Sequence, residues 1–282
     1  MSRKFLVLLA AVLACASVTG CTKGSDGSAA DENACQVIGA TEKIINGDRC
    51  EGFTRSPVVR LLTQFSDNTI GVCTGTIITP NKILTATHCV VNIQNGAGPT
   101  SIMVISGDAG QDTTYYAEDF AFHPGFRAEL PDKLFNDVAV VTLSSYTSIP
   151  PAPVLVSQDA AIGSTAYIYG FGQSEVDPEP PTSLQEWLDS SKELRASNMT
   201  VAEITNNHYW AVFTSNSGMV CYGDSGGPLI VERPTAMVLG VTSQLVTPDG
   251  TCDVGTTALW TRLQSSEVQN WLRQVAPEAD YR

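Results

Sequence analysis

The stretch Gly223-Asp224-Ser225-Gly226-Gly227-Pro228 sets one serine among three glycines. It can be read in two ways. One is a tight turn with no chemical role. The other is a reactive serine: residues without a Cβ let backbone N–H groups approach a reacting carbonyl, so the N–H groups of Gly223 and Ser225 can form an oxyanion hole. A serine hydroxyl is a poor nucleophile near neutral pH. The second reading therefore requires a base within hydrogen-bond reach and a third group that fixes the tautomer of that base.

The chain has only three histidines. His88 follows Leu84-Thr85-Ala86-Thr87 and precedes Cys89, at the end of an apolar run where a base would be held rigidly. His123 lies in His123-Pro124-Gly125-Phe126 and reads as a structural turn residue, and His208, in Asn206-Asn207-His208-Tyr209, as a surface residue of a polar loop. The carboxylate is sought in Asn136-Asp137-Val138-Ala139-Val140-Val141-Thr142-Leu143. An acid directly before a buried apolar strand is either a solvated strand start or a partly buried group that accepts the His88 N–H.

Outward from these motifs, short β-rich runs dominate: Val58 to Phe65, Ile70 to Ile78, Lys82 to Ala86, Ser101 to Ser106, Val138 to Leu143, Thr165 to Tyr169, Asn198 to Ile204, Pro228 to Val231 and Met237 to Thr242. Turn signals such as Thr79-Pro80-Asn81 separate them, which predicts an all-β barrel or sandwich protein. A single helix is expected from Ser266-Glu267 onward, with Val268, Trp271, Leu272 and Val275 on one apolar face. The acidic, proline-rich run from Ser174 to Pro181 continues as a surface loop with a helical turn around Trp187, and Pro150-Pro151-Ala152-Pro153 reads as a linker between two halves.

Together these motifs resemble the chymotrypsin/trypsin family of serine endopeptidases. The resemblance rests on the segments around His88, Asp137 and Ser225 and on Gly240-Val241-Thr242-Ser243, in the family's order, and spans Ile44 to about Val275. It implies two six-stranded antiparallel Greek-key barrels with the active site between them, closed by a C-terminal helix, the halves meeting near residue 150. It assigns the nucleophile to Ser225, the base to His88, the orienting carboxylate to Asp137 and the supporting hydroxyl to Ser243. It also implies a zymogen. Cleavage after Lys43 by a trypsin-like protease would free the Ile44 ammonium to pair with Asp224. Two departures stand out: Thr87, where the family usually has Ala, and Asn46, where it more often has Gly.

The resemblance also pairs Cys73 with Cys89 and Cys221 with Cys252. Cys35 and Cys50 are left over; they either bridge each other across the Lys43–Ile44 bond or remain free or intermolecular thiols. The position that holds an Asp in trypsin-like members is Met219 here, followed by Val220, and the aligned pocket walls fall at Leu245 and Ala258. An apolar, shortened pocket implies a preference for small or medium apolar residues before the scissile bond.

Net charge is −13, and the first 43 residues carry as many acids as bases, so the whole excess lies beyond them. An acidic surface argues against nucleic acid as a partner. Eight cysteines point to an oxidising compartment. Arg3 and Lys4 followed by the apolar run Phe5 to Ala14 read as a signal peptide over residues 1–20. Val18-Thr19-Gly20-Cys21 resembles a bacterial lipobox with Cys21 as the acylated residue; the other reading is an ordinary secretory peptide, with Ala14-Cys15-Ala16 as a cleavage site. Residues 21–43 would then be tether and propeptide, and 44–282 the protease domain, secreted and either lipid-anchored at the cell envelope or extracellular. No metal or other cofactor is expected: Asp108 to Glu118 lacks a convincing calcium ligand set. The expected partners are protein or peptide substrates and the activating protease, with the enzyme itself monomeric.

Overall fold

The computed structural model describes residues 34–35, 41–43, 48–51, 55–107, 112–129, 133–173, 185–186, 193–214, 217–233, 235–246, 252 and 254–282. The lipobox with Cys21, the tether, Ile44 and the turn around Trp187 lie outside the described residues.

Six strands close the first barrel, in the order β10(Ala139–Leu143), β5(Lys82–Thr85), β4(Ile70–Thr79), β3(Val58–Phe65), β6(Pro99–Ser106) and β7(Thr113–Phe122). All neighbours are antiparallel. Closure leaves no open edge and packs Val59, Leu61, Ile77, Ile83, Val104 and Val141 into one core. β7 had no sequence signal: its burial pattern is mostly exposed or half-exposed, so no apolar alternation marks it.

The second half is larger than the six strands expected. Among the described residues its sheet has nine strands, in the order β1(Thr41–Lys43), β2(Asp48–Glu51), β12(Arg195–Thr200), β11(Thr165–Gly170), β15(Pro228–Glu232), β16(Ala236–Val246), β17(Thr257–Arg262), β14(His208–Val212) and β13(Glu203–Ile204). The additional strands are short ones at its margins. The hairpin β1–β2 pairs Lys43 with Arg49 and joins the sheet through β2 and β12, while β13 lines the far edge. A small hairpin, β8(Arg127–Glu129) and β9(Lys133–Phe135), stands apart from both sheets.

The expected helix is present as α1(Ser266–Val275), with the Ser265 hydroxyl accepting from Val268 N–H, Glu267 in its first turn and Arg273 in its last. Val268, Trp271 and Leu272 bury against the first barrel's core, each contributing roughly 1.5–3 kcal/mol by leaving water. Among the described residues three disulfides are formed: Cys35–Cys50, Cys73–Cys89 and Cys221–Cys252. No helix among the described residues is long and apolar enough to cross a membrane.

Candidate active site

His88 is the central residue of a 3-10 turn, Thr87–Cys89, which begins one residue beyond β5. Its Nδ1 lies 2.7 Å from Asp137 Oδ2, and its backbone N–H donates to Asp137 Oδ1 at 3.1 Å. A carboxylate only accepts, so the Nδ1 of neutral His88 carries the proton and Nε2 keeps its lone pair. Asp137 is fully buried, while the His88 side chain keeps 17% of its surface exposed. The Ser243 hydroxyl donates to Asp137 Oδ2 at 2.7 Å, and Thr261 Oγ1 donates to the Asp137 carbonyl at 2.9 Å. Two strands of the second half, β16 and β17, therefore hold a residue that enters from the first. Thr261 has no sequence signature, because the atom it serves lies 124 positions away.

The electrostatics follow from this burial. Desolvation disfavours a charged His88, yet the Asp137 charge and hydrogen bond outweigh it and raise the imidazole pKa above its ordinary 6.5. Desolvation likewise works against ionised Asp137. The His88 charge, its hydrogen bonds and the Ser243 hydroxyl prevail and hold the carboxyl below its usual range.

Two features of the approach to Asp137 are local. Asn136 adopts φ +51°, a left-handed conformation that Asn tolerates better than most residues, and this turns the chain so that the Asp137 side chain faces inward. Thr87, the departure from the family's usual Ala, donates its hydroxyl to the Val138 carbonyl at 3.0 Å, so the extra polar atom is paired. His123 packs as a structural residue, with its ring edge-on to Trp271 at 5.5 Å and its Nδ1 accepting from Gly125 N–H. His208 corrects the sequence reading. It is buried on β14, and its Nε2 lies 2.7 Å from the Leu134 carbonyl. A partner 74 residues away cannot be seen in the polar loop that precedes it.

Ser225 reaches the same place from the second half. Its carbonyl accepts from Thr74 N–H at 2.8 Å and lies 3.6 Å from Sγ of Cys89, the residue after His88. Thr74 Oγ1 donates to the Gly223 carbonyl at 2.9 Å, so one β4 residue holds the turn on both sides of Asp224 and Ser225. Gly226 explains part of the glycine run. Its φ is +80°, and a Cβ there would fall 2.1 Å from Thr85 Oγ1 and 2.4 Å from the Thr74 carbonyl. Only a residue without a side chain lets this turn lie against the strands that lead to His88.

Asp224 is buried. Its carboxylate accepts from Gly172 N–H at 2.7 Å and Cys221 N–H at 2.8 Å. Burial pushes its pKa up to about 6, while those two backbone donors and the charge of Arg195 pull the other way.

Of the four residues expected to line an apolar specificity pocket, Leu245 and Ala258 are direct partners across β16 and β17. Val220 and Ala258 are buried in the second-half core, and Met219 is 38% exposed. None of the four carries a charge. Cys73, His88 and Cys89 lie close enough together to suggest a metal site, but both sulfurs are committed to a disulfide and offer no thiolate.

The fold and this row of groups define a class: all-β hydrolases of two barrel-like halves, with His and Asp from one and Ser from the other. Residues 44–272 match the family model for trypsin, and the chain belongs to the trypsin family of serine endopeptidases. It is 30% identical over 178 residues to the trypsin of Saccharopolyspora erythraea, covering 61% of this chain and 74% of that protein. It is 28% identical over 217 residues to kallikrein-11 of Homo sapiens, covering 70% of each. Among solved structures it is similar to HL collagenase, with a TM-score of 0.64 and 25% identity over 83% of this chain and 99% of the other.

Proposed function

We propose that this serine endopeptidase works through Ser225, His88 and Asp137 and is made as a zymogen activated by cleavage after Lys43. The observation that carries the catalytic reading is the hydrogen-bonded row Ser243–Asp137–His88, with the Ser225 turn fastened beside it. His88 Nε2 takes the proton as Ser225 Oγ attacks the scissile carbonyl carbon. The Gly223 and Ser225 N–H groups hold the oxyanion that develops on the carbonyl oxygen. His88 then returns the proton to the leaving amine, leaving an acyl-enzyme that water hydrolyses by the same proton route.

Activation rests on Asp224. Among the described residues, its buried carboxylate accepts from the Gly172 and Cys221 backbone N–H groups, and the charge of Arg195 also works against desolvation. A freed Ile44 ammonium would supply the missing counter-charge and order the adjoining oxyanion hole. Met219, Val220, Leu245 and Ala258 support a preference for small or medium apolar residues before the scissile bond, with loose selectivity, since one methylene changes binding by only about 1–3 kcal/mol.

Residues 1–20 act as a signal peptide and residues 21–43 as tether and propeptide, with Cys21 the acylation site of a bacterial lipoprotein. The Cys35–Cys50 bridge spans the activation bond, so the cut prosegment stays attached and keeps the enzyme at the membrane. Ala34 and Cys35 are buried with Cys50, Tyr169 and Phe171, and the Tyr169 hydroxyl donates to the Ala34 carbonyl. These contacts seat the prosegment as well as tie it.

Reaction with a serine-directed phosphonate, and its loss together with peptide hydrolysis in Ser225→Ala, tests the catalytic reading. A chain that binds peptides but hydrolyses none, before or after cleavage at Lys43, would instead be an inactive homologue. Full activity of an uncut Lys43→Gln protein would reject the zymogen scheme.

A further inference from the structure

The hairpin β8–β9 belongs to the first half by sequence, but second-half side chains hold it. Leu134, at its centre, is buried, so its backbone N–H and C=O both need partners. Gln244 Oε1 accepts from the N–H at 2.7 Å, and His208 Nε2 meets the C=O at 2.7 Å. An N–H only donates, so the Gln244 atom facing it is the amide oxygen. A carbonyl only accepts, so His208 carries its proton on Nε2.

The flanking residues dock on the same side. Side chains two apart on a strand share a face, and the β14 pair His208 and Trp210 present theirs to the hairpin. The Phe135 ring lies 5.7 Å from the His208 ring, and Lys133 Nζ is 5.3 Å from the Trp210 ring centroid. The alternate β14 residues, Tyr209 and Ala211, turn into the second-half core and anchor the strand.

This latch adjoins the reacting groups on both sides. Leu134 precedes Asp137 by three residues, and Gln244 follows Ser243 by one. Neighbouring residues of β16 thus make parallel links to the first half, Ser243 to the Asp137 carboxylate and Gln244 to the Leu134 backbone. The left-handed Asn136 joins the two attachment points. Ser243 and Thr261 hold Asp137 itself, and Gln244 adds a further link three residues upstream, in the hairpin that leads into it.

We infer that Gln244 and His208 are positioning residues, which fix the His88–Asp137 pair against the Ser225 turn by clamping both backbone polar groups of Leu134. This rests on the triad reading given above. Releasing the clamp changes where Asp137 and the imidazole sit, so both kcat and the His88 Nδ1–H proton should respond.

The test uses the full chain, activated with immobilised trypsin that is then removed. Gln244→Met keeps the side-chain length but cannot accept, and His208→Leu cannot donate. Each should lower kcat about 10- to 100-fold, the scale of a sub-ångström to ångström misplacement. The low-field proton resonance of the His88 Nδ1–H should shift or broaden in both. His208→Gln, which restores a donor, should recover most of the kcat and the resonance. Lowered thermal stability with unchanged kcat and an unchanged resonance would overturn the clamp and leave a purely structural contact. If His208→Leu does not fold, Gln244→Met gives the same readout alone. Ser225→Ala separates the two ideas. Hydrolysis that survives it removes the triad reading, whereas an active native enzyme with unaffected clamp variants removes only the clamp.

Discussion

Gly172 donates its backbone N–H to Asp224 Oδ1 at 2.7 Å, and a Cβ added to Gly172 would lie 2.5 Å from that carboxylate. The same carboxylate must later face a new ammonium if the activation scheme holds. Gly172→Ala should therefore displace Asp224 and distort the turn that carries Ser225. Overpacking of this kind costs about 1–3 kcal/mol of stability, and the misplaced turn should cost about 100-fold in kcat. A urea midpoint and a kcat measurement on the cut enzyme check both.

Asp224 also gives the uncut chain a distinct pH dependence. Its folded pKa of about 6 stands above the ordinary 3.8, so folding favours the protonated form. The stability this confers is complete below pH 3.8 and is lost as the pH rises through 6. The loss is on the order of 3 kcal/mol. Urea unfolding of Lys43→Gln between pH 4 and 7 should show it, and Lys43→Gln with Asp224→Asn should not. Enzyme cut at Lys43, with Ile44 paired to Asp224, should lose much less over the same range.

Catalysis should depend on pH in the opposite sense. His88 must be neutral to act as a base, and Asp137 raises its pKa, so the acid limb of kcat/KM should lie above 6.5. Asp137→Asn removes the charge that holds the proton. The limb should move to lower pH, and kcat should fall by about 10^4 as the imidazole loses its tautomer and orientation. A pH–rate profile of both proteins reads the two effects.

The Cys35–Cys50 bridge closes a short loop, its ends 15 residues apart. In the uncut chain its removal by Cys35→Ala with Cys50→Ala should cost about 3 kcal/mol, the scale for such a loop. Cutting after Lys43 opens that loop, and the bridge then acts as a tether. On gels the cut enzyme should run as one species without reductant and as two with it. Release of the prosegment without reductant would reject the tether.

Side chains in the left-handed region cost most residues about 1–2 kcal/mol, so Asn136→Ala should destabilise the protein by that amount. It should lower kcat more than its stability loss alone explains, because Asn136 sets the direction of Asp137. Comparing Asn136→Gly, which relaxes the strain, isolates the backbone contribution.

Much of the candidate site was legible because the chemistry proposed for it needs particular residue types in particular local settings. A glycine-flanked Ser225, a His88 beside a cysteine and an Asp137 before an apolar strand can each be recognised within a few residues. Strands with a marked apolar pattern, such as β3 and β10, could be read in the same way, and so could the amphipathic α1. β7, β14 and β17 escaped. In β7 the burial pattern is mostly exposed or half-exposed, and β14 begins in a polar run whose His208 reads as solvated.

By itself, the sequence determined the three chemical groups around Ser225, the cysteines available for bridging and the absence of a charge at Met219. These depend on residue identity and short spacing. Only the tertiary structure decided what holds the groups in place. Thr74 fastens the Ser225 turn, Thr261 and Ser243 hold Asp137, Gly172 meets Asp224, and Gln244 and His208 clamp Leu134. Each of these partners lies far away along the chain. Ordinary Thr, Gly, Gln and His residues become specific only when the two halves bring their polar atoms together out of water.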